Sequence, residues 1–195
     1  MSALDAIVDA NRRYAATFDR GDLPLPPKRH LAIVTCMDAR ILPSRVLGLD
    51  VGDAHVIRNA GGRAAEALRS LVISQRLLGT TEVAVIHHTD CGMLTFTNED
   101  LRARVADELG PGAARAASGV DFLPFTDLDA SVRDDVLFLR GSPLVPQSIA
   151  IRGFVYDVRS GRLREIDVAS EAAATARPTA APPRGQPLQP EAPAR

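Results

Sequence analysis

The sequence predicts one α/β domain built on a mainly parallel β-sheet flanked by helices. Three observations lead there. Short apolar runs alternate along the chain with stretches of helical periodicity, the pattern of strand-helix-strand crossovers. The run Leu31-Ala32-Ile33-Val34-Thr35 is apolar almost without interruption, as expected for a strand covered on both faces. A length of 195 residues suits one sizeable core.

Taken in order, residues 2–18 carry Leu4, Ile7, Val8, Ala15 and Phe18 on an approximate i, i+3, i+4 stripe, which predicts an amphipathic helix. Gly21 to Pro27 breaks it. Leu31 to Thr35 is the first strand, and a short helix is expected from Pro43 to Leu47. Ala54 to Arg58 reads as a second strand that ends at Asn59-Ala60-Gly61-Gly62. Residues Ala64 to Leu78 form a longer helix with Leu68, Leu71, Val72, Gln75 and Leu78 on related faces, stopped by Gly79. Glu82 to His88 is the third strand. Thr97 or Asn98 can cap a helix that runs to about Leu109, and Asp127 can start another to about Leu139. Ser148 to Val158 and Arg162 to Val168 flank Ser160-Gly161, the pattern of a terminal hairpin.

The chain divides into an N-terminal helical arm (1–27), the α/β domain (28–168) and a tail (169–195). The tail holds six of the fourteen prolines and almost no large apolar residue, so it is expected to be disordered.

Composition removes several function classes. Charge is balanced at a formal net −1, and no basic run marks a nucleic-acid or membrane partner. No apolar stretch is long enough to span a bilayer, and Met1 to Asp5 has neither the basic start nor the apolar block of a signal peptide. Trp is absent, which argues against a stacking platform for bases. Two cysteines are too few for a disulfide framework, so the cytoplasm is the expected compartment.

Those two cysteines carry the chemistry. Cys36 follows the first strand, within Cys36-Met37-Asp38-Ala39-Arg40; Cys91 follows the third, within His88-Thr89-Asp90-Cys91. In open α/β sheets, ligands sit beyond the carboxyl ends of strands where the strand order switches. With strand order 2-1-3, both loops open into one crevice. Zinc favours thiolate and imidazole in a tetrahedral set, and a catalytic site keeps one position for water or substrate. Two Cys and one His leave that position, with Asp38 near enough in sequence to occupy or control it. His88 is the ligand candidate, because strand alternation sends His87 to the opposite side, to pack or hydrogen-bond there. His30 and His55 sit at strand starts, the wrong edge, and are expected at the surface. Asp38 and Arg40 would elsewhere be a loop ion pair; beside a metal, Arg40 can hold Asp38 off the ion or release it to become the fourth ligand. Asp90 is either an outer partner of the ligands or a turn residue. The Asn59 to Gly62 amides could receive an anion, but a plain strand-to-helix turn is the simpler reading. A cysteine phosphatase loop is excluded, since it needs Arg six residues after Cys and residue 42 is Leu.

Three stretches together resemble the β-class carbonic anhydrases, most nearly their short actinobacterial-type members. They are Thr35-Cys36-Met37-Asp38-Ala39-Arg40, Gly52-Asp53-Ala54-His55-Val56-Ile57-Arg58-Asn59-Ala60-Gly61 and His88-Thr89-Asp90-Cys91-Gly92, and the likeness runs from Leu31 to Val168. The resemblance implies Cys36, His88 and Cys91 as ligands of one Zn²⁺ per subunit, with Asp38 either a fourth ligand or paired with Arg40. It implies reversible hydration of carbon dioxide to bicarbonate and a proton by a hydroxide made at zinc, which the Asp38–Arg40 dyad orients. It also implies a homodimer or higher oligomer in which the N-terminal helix reaches over the partner. Plant-type members line the gas pocket with a glutamine and aromatics; no equivalent glutamine lies near Asn59 to Gly62. Three other functions compete. One is hydrolysis of carbonyl sulfide or carbon disulfide on the same ligands. Another is a non-enzymatic zinc-binding or regulatory protein closed by Asp38. The last is a redox switch through a Cys36–Cys91 bridge.

Overall fold

In the computed structural model, which describes residues 2–168, Leu31–Cys36 (β1) is the hub of a five-stranded sheet. It pairs in parallel with Ala54–Asn59 (β2) on one side and Glu82–His88 (β3) on the other. β3 pairs in parallel with Ala150–Tyr156 (β4), and β4 pairs antiparallel with Leu163–Ile166 (β5). The order is β2-β1-β3-β4-β5, so the expected 2-1-3 core is present and the terminal hairpin extends it at the β3 edge. The tail at 169–195, expected to be disordered, lies outside the described residues.

Helices occupy Ala3–Ala15 (α1), Pro43–Val46 (α2), Ala64–Leu77 (α3), Asn98–Leu109 (α4), Pro111–Ala117 (α5) and Leu128–Gly141 (α6). α1 starts at a Ser2 capping box with Asp5, α4 at the equivalent Thr97–Asp100 box, and α6 at Asp127, whose carboxylate accepts from the Ala130 amide. Gly79, at φ 70, supplies the left-handed residue that turns the chain out of α3. α5 is an addition to the expected elements.

Apolar clusters cover both faces of the sheet. On one face Ala32, Val34, Val83 and Val85 meet Ala67 and Leu71 of α3 and Val136 and Leu139 of α6. The other groups Ile33 and Ile86 with Cys36, Cys91, Met93 and Phe125. Burying the valine, leucine, isoleucine, methionine and phenylalanine side chains among these contributes about 1.5–3 kcal/mol each. At Gly153 α6 lies directly on β4: a Cβ there would come 2.5 Å from a methyl of Val132. α1, like α4, has no buried residue, and its large apolar side chains Leu4, Ile7 and Val8 are 74%, 63% and 50% exposed.

Candidate metal centre

The parallel register puts the ends of β1 and β3 side by side, and the two candidate loops leave from those ends. Cys36 closes β1, opposite Asn59 of β2, and His88 closes β3, opposite Tyr156 of β4. Cys91 follows in a tight loop in which Asp90 takes φ 57 before the short 3-10 turn Gly92–Leu94. Donor atoms of Cys36, His88 and Cys91 all lie within 4.8 Å of one another, and all three residues are buried. The His88 Nδ1–H donates to the Thr89 carbonyl at 2.8 Å, leaving Nε2 with an unshared pair. Nε2 is buried with no hydrogen-bond partner. A buried nitrogen of that kind is costly unless something else occupies its lone pair. Two sulfurs and such a nitrogen are a donor set that fits zinc.

The thiols are electrostatically unequal. Cys36 is pulled down to about 4, chiefly because the Cys91 thiol donates to its sulfur; burial opposes this, while His88 and the amides of Asp38 and Gly61 assist. Cys91 is pushed up, first by the same hydrogen bond to Cys36 and then by burial. For His88 burial pulls the imidazole down, but the Cys36 sulfur beside it outweighs that and the net direction is up. One proton is thus held between two sulfurs, the proton a divalent cation displaces when it binds.

The loops are fixed from outside. Arg58 donates from Nε to the Cys36 carbonyl at 3.0 Å and from Nη2 to the Asp38 carbonyl at 2.7 Å. The Asn59 side chain accepts from the Arg63 amide and donates to its carbonyl, pinching the turn through Gly61 and Gly62. That turn serves the Cys36 sulfur through the Gly61 amide. Gly62 sits at φ 73, and a Cβ there would come 2.9 Å from the Thr35 carbonyl carbon, so only glycine fits.

Asp38 and Arg40 are paired. Arg40 donates from its backbone amide and Nε to Asp38 Oδ1 at 2.8 and 3.0 Å, and from Nη2 to Oδ2 at 2.8 Å. The Arg40 bonds hold the Asp38 carboxyl down at about 2. Asp38 Oδ2 lies 3.7 Å from His88 Nε2, beside the three donors. Asp90 is both a turn residue and a partner: its carboxylate accepts from Arg40 Nη1 at 2.7 Å and its carbonyl from Nη2 at 2.8 Å.

Of the other histidines, His87 is fully buried, as its strand face predicts. Its ring nitrogens meet Ser131 Oγ at 2.8 Å and Asp135 Oδ2 at 3.1 Å, and Phe125 stacks on it. His30 is exposed against the Gly79 carbonyl. His55 departs from the surface placement expected for it: it is half-buried, with Nδ1 2.7 Å from Ser74 Oγ, because α3 folds across the start of β2. A cleft of about 340 Å³ opens on the site, lined by Cys36, Met37, Asp38, Gly61, Cys91 and Phe96, among others. A larger one of about 420 Å³, between Arg140, Arg152 and Glu165, contains none of the sulfur or imidazole donors.

A family model described as carbonic anhydrase matches residues 31–163. The chain is 45% identical over 167 residues to Beta-carbonic anhydrase 1 of Mycobacterium tuberculosis, covering 85% of this chain and 99% of that protein. It belongs to the β-carbonic anhydrase family. A solved carbonic anhydrase from Streptococcus mutans superposes with a TM-score of 0.79 at 49% identity, covering 86% of this chain and 99% of that one. A second kind of relative is a carbon disulfide hydrolase of Acidianus sp., 37% identical over 162 residues, or 72% of this chain and 79% of that protein. β-Carbonic anhydrases use zinc, and the Cys36–His88–Cys91 group fits that metal.

The structure brings together Cys36, His88 and Cys91, the candidates the sequence singles out, and pairs Asp38 with Arg40. Sequence reasoning did not assign roles to Arg58 or to the Asn59 clamp, although both lie within the Gly52 to Gly61 stretch. Their side chains act on backbone groups of another strand end, which spacing alone does not reveal.

Proposed function

We propose that this chain catalyses the reversible hydration of carbon dioxide to bicarbonate and a proton, with Cys36, His88 and Cys91 holding zinc and Asp38 and Arg40 serving the reaction. The observation that carries the reading is the meeting of two sulfurs and an unpartnered imidazole nitrogen beside an ion-paired carboxylate. When bound, zinc acts as a Lewis acid that brings the pKa of water from 15.7 to about 7, so hydroxide is available near neutrality.

The chain's own residues do the rest. Arg40 occupies both oxygens of Asp38 and keeps the carboxylate turned from the donors, so one position stays open. Asp38 Oδ2, which accepts from Arg40 Nη2 and keeps a second lone pair, would be placed to accept a hydrogen bond from the nucleophilic oxygen and so orient it toward the cleft. Ala60, Met93 and Phe96 give the cleft an apolar wall suited to an uncharged linear gas. Among the described residues no histidine lines that cleft, and the product proton is proposed to pass to buffer.

Activity should rise from acidic to mildly alkaline buffer. The sign follows from which group titrates. Asp38, held down at about 2, stays ionised throughout, so its pairing with Arg40 is lost only as pH falls through that value. The acid limb therefore belongs to water ionisation, with a midpoint at or above about 7, because two thiolates donate more charge to the metal than imidazoles would. Stopped-flow carbon dioxide hydration across this range checks it; a flat profile contradicts the mechanism, and a limb confined to strongly acidic buffer would move the titration to Asp38.

The similarity to carbon disulfide hydrolases makes hydrolysis of carbonyl sulfide or carbon disulfide the second reading. Sulfide release measured beside carbon dioxide hydration separates the two. A regulatory site closed by Asp38 is disfavoured by the three bonds that tie this carboxylate to Arg40.

We further propose a homodimer in which α1 lays Leu4, Ile7 and Val8 on a second copy, since among the described residues these side chains are half or more exposed. Removing residues 1–18 should convert the dimer to monomer in analytical ultracentrifugation, and a persisting dimer would refute this use of α1. The cytoplasm is the compartment proposed, because both ligand thiols must stay reduced. Among the described residues no helix is long and apolar enough to cross a membrane.

A further inference from the structure

We infer that Asp90 is a positioning residue for the hydration reaction, holding the Arg40 guanidinium where it keeps Asp38 away from the metal position. This rests on the reading that Cys36, His88 and Cys91 hold zinc.

Arg40 distributes its donors over two acids. Nε and Nη2 hold Asp38, while Nη1 meets the Asp90 carboxylate and Nη2 also meets the Asp90 carbonyl. Neither partner is held by packing, for the side chains of Arg40 and Asp90 are 47% and 60% exposed. Their hydrogen bonds alone set the geometry. Asp38 Oδ2 is only 3.7 Å from His88 Nε2, so a modest swing would carry the carboxylate in among the donors. Arg40 resists that swing only if it is itself anchored. Bound to Asp38 alone, it sits within the same short loop and would travel with it. Asp90 supplies the anchor from a different element, the loop between the donors His88 and Cys91.

The backbone at Asp90 supports this assignment. A non-glycine residue at φ 57 carries a conformational cost of roughly 1 kcal/mol. Here that conformation turns both the carbonyl and the carboxylate of one residue onto the same guanidinium. The two loops bearing the donors are thereby tied together through Arg40, and the tie fixes how much of the protein has Asp38 ion-paired rather than at the metal. A ligand that needs the open position has its apparent affinity multiplied by the fraction of molecules in which that position is open.

Asp90→Asn keeps an acceptor and tolerates the left-handed backbone but removes the charge; Asp90→Ala removes the acceptor as well. With cobalt(II) in place of zinc, visible absorption reads thiocyanate binding at the open position. Asp90→Ala should bind thiocyanate about threefold to tenfold more weakly than wild type, with Asp90→Asn between them, as expected for losing one partly exposed charged bond. Metal stoichiometry should stay at the wild-type value, and kcat for carbon dioxide should fall by a similar factor. Wild-type thiocyanate affinity in Asp90→Ala would overturn the inference. So would loss of metal from both variants, because Asp90 would then be holding the donor loop and not Arg40. If wild type itself takes up no metal or hydrates no carbon dioxide, the functional reading fails; if it does both and the variants match it, only the role of Asp90 fails.

Discussion

Cys91→Ala is expected to purify folded, without zinc, and with carbon dioxide hydration reduced by at least about a thousandfold. Structural zinc sites bind with roughly 10–16 kcal/mol in total, so deleting one of three protein donors removes about a third of it, some three orders of magnitude in affinity. The fold should survive. Cys91 sits on a loop at the edge of the second apolar cluster, and replacing its sulfur by hydrogen leaves a cavity costing on the order of 1 kcal/mol. Cys36→Ala should behave alike, with a further loss: the amides of Asp38 and Gly61 that face the sulfur would have nothing to serve. Metal analysis with circular dichroism on the same preparation separates metal loss from unfolding. A Cys91→Ala protein that keeps one zinc per chain would remove Cys91 from the donor set. A redox bridge makes a different prediction: mild oxidation would change activity or assembly, and metal content would be irrelevant.

Asp38→Ala should do the opposite, retaining zinc while kcat falls about a hundredfold, the upper range for a group that orients a metal's ligands from outside. KM should change little, because Asp38 acts on the attacking oxygen and the apolar wall receives the gas. Arg40 would keep its two bonds to Asp90, so the loops should stay in register. Stopped-flow kinetics on metal-quantified protein reads both parameters. Unchanged turnover would defeat the role given to Asp38, and loss of zinc would make it a ligand.

Much of this was legible in the sequence because strand ends carry the chemistry. Apolar runs at Leu31 to Thr35 and Glu82 to His88 located β1 and β3 closely, and the switch-point rule then brought Cys36 and His88 together without any contact being known. Element types held where periodicity was strong. α5 was not legible: the expected helix ends at about Leu109, yet Pro111 opens a further one at a position whose amide needs no partner. The buried set of His87, Ser131, Asp135 and Arg63 was equally invisible, since it joins residues 44 and 48 positions apart through the packing of α6 on the sheet. Spacing also could not show that Arg40 meets Asp90, 50 residues away, or that the Asp38 carboxylate is turned to Arg40. Those are side-chain choices among partners that only the folded loops bring within reach.

Zinc K-edge X-ray absorption on protein purified under reducing, metal-replete conditions tests the central claim most directly. One zinc per chain is expected, with two sulfurs at about 2.3 Å and one imidazole nitrogen at about 2.0–2.1 Å in its shell. A shell with fewer than two sulfurs, or protein that holds no zinc while both thiols are free, would contradict it.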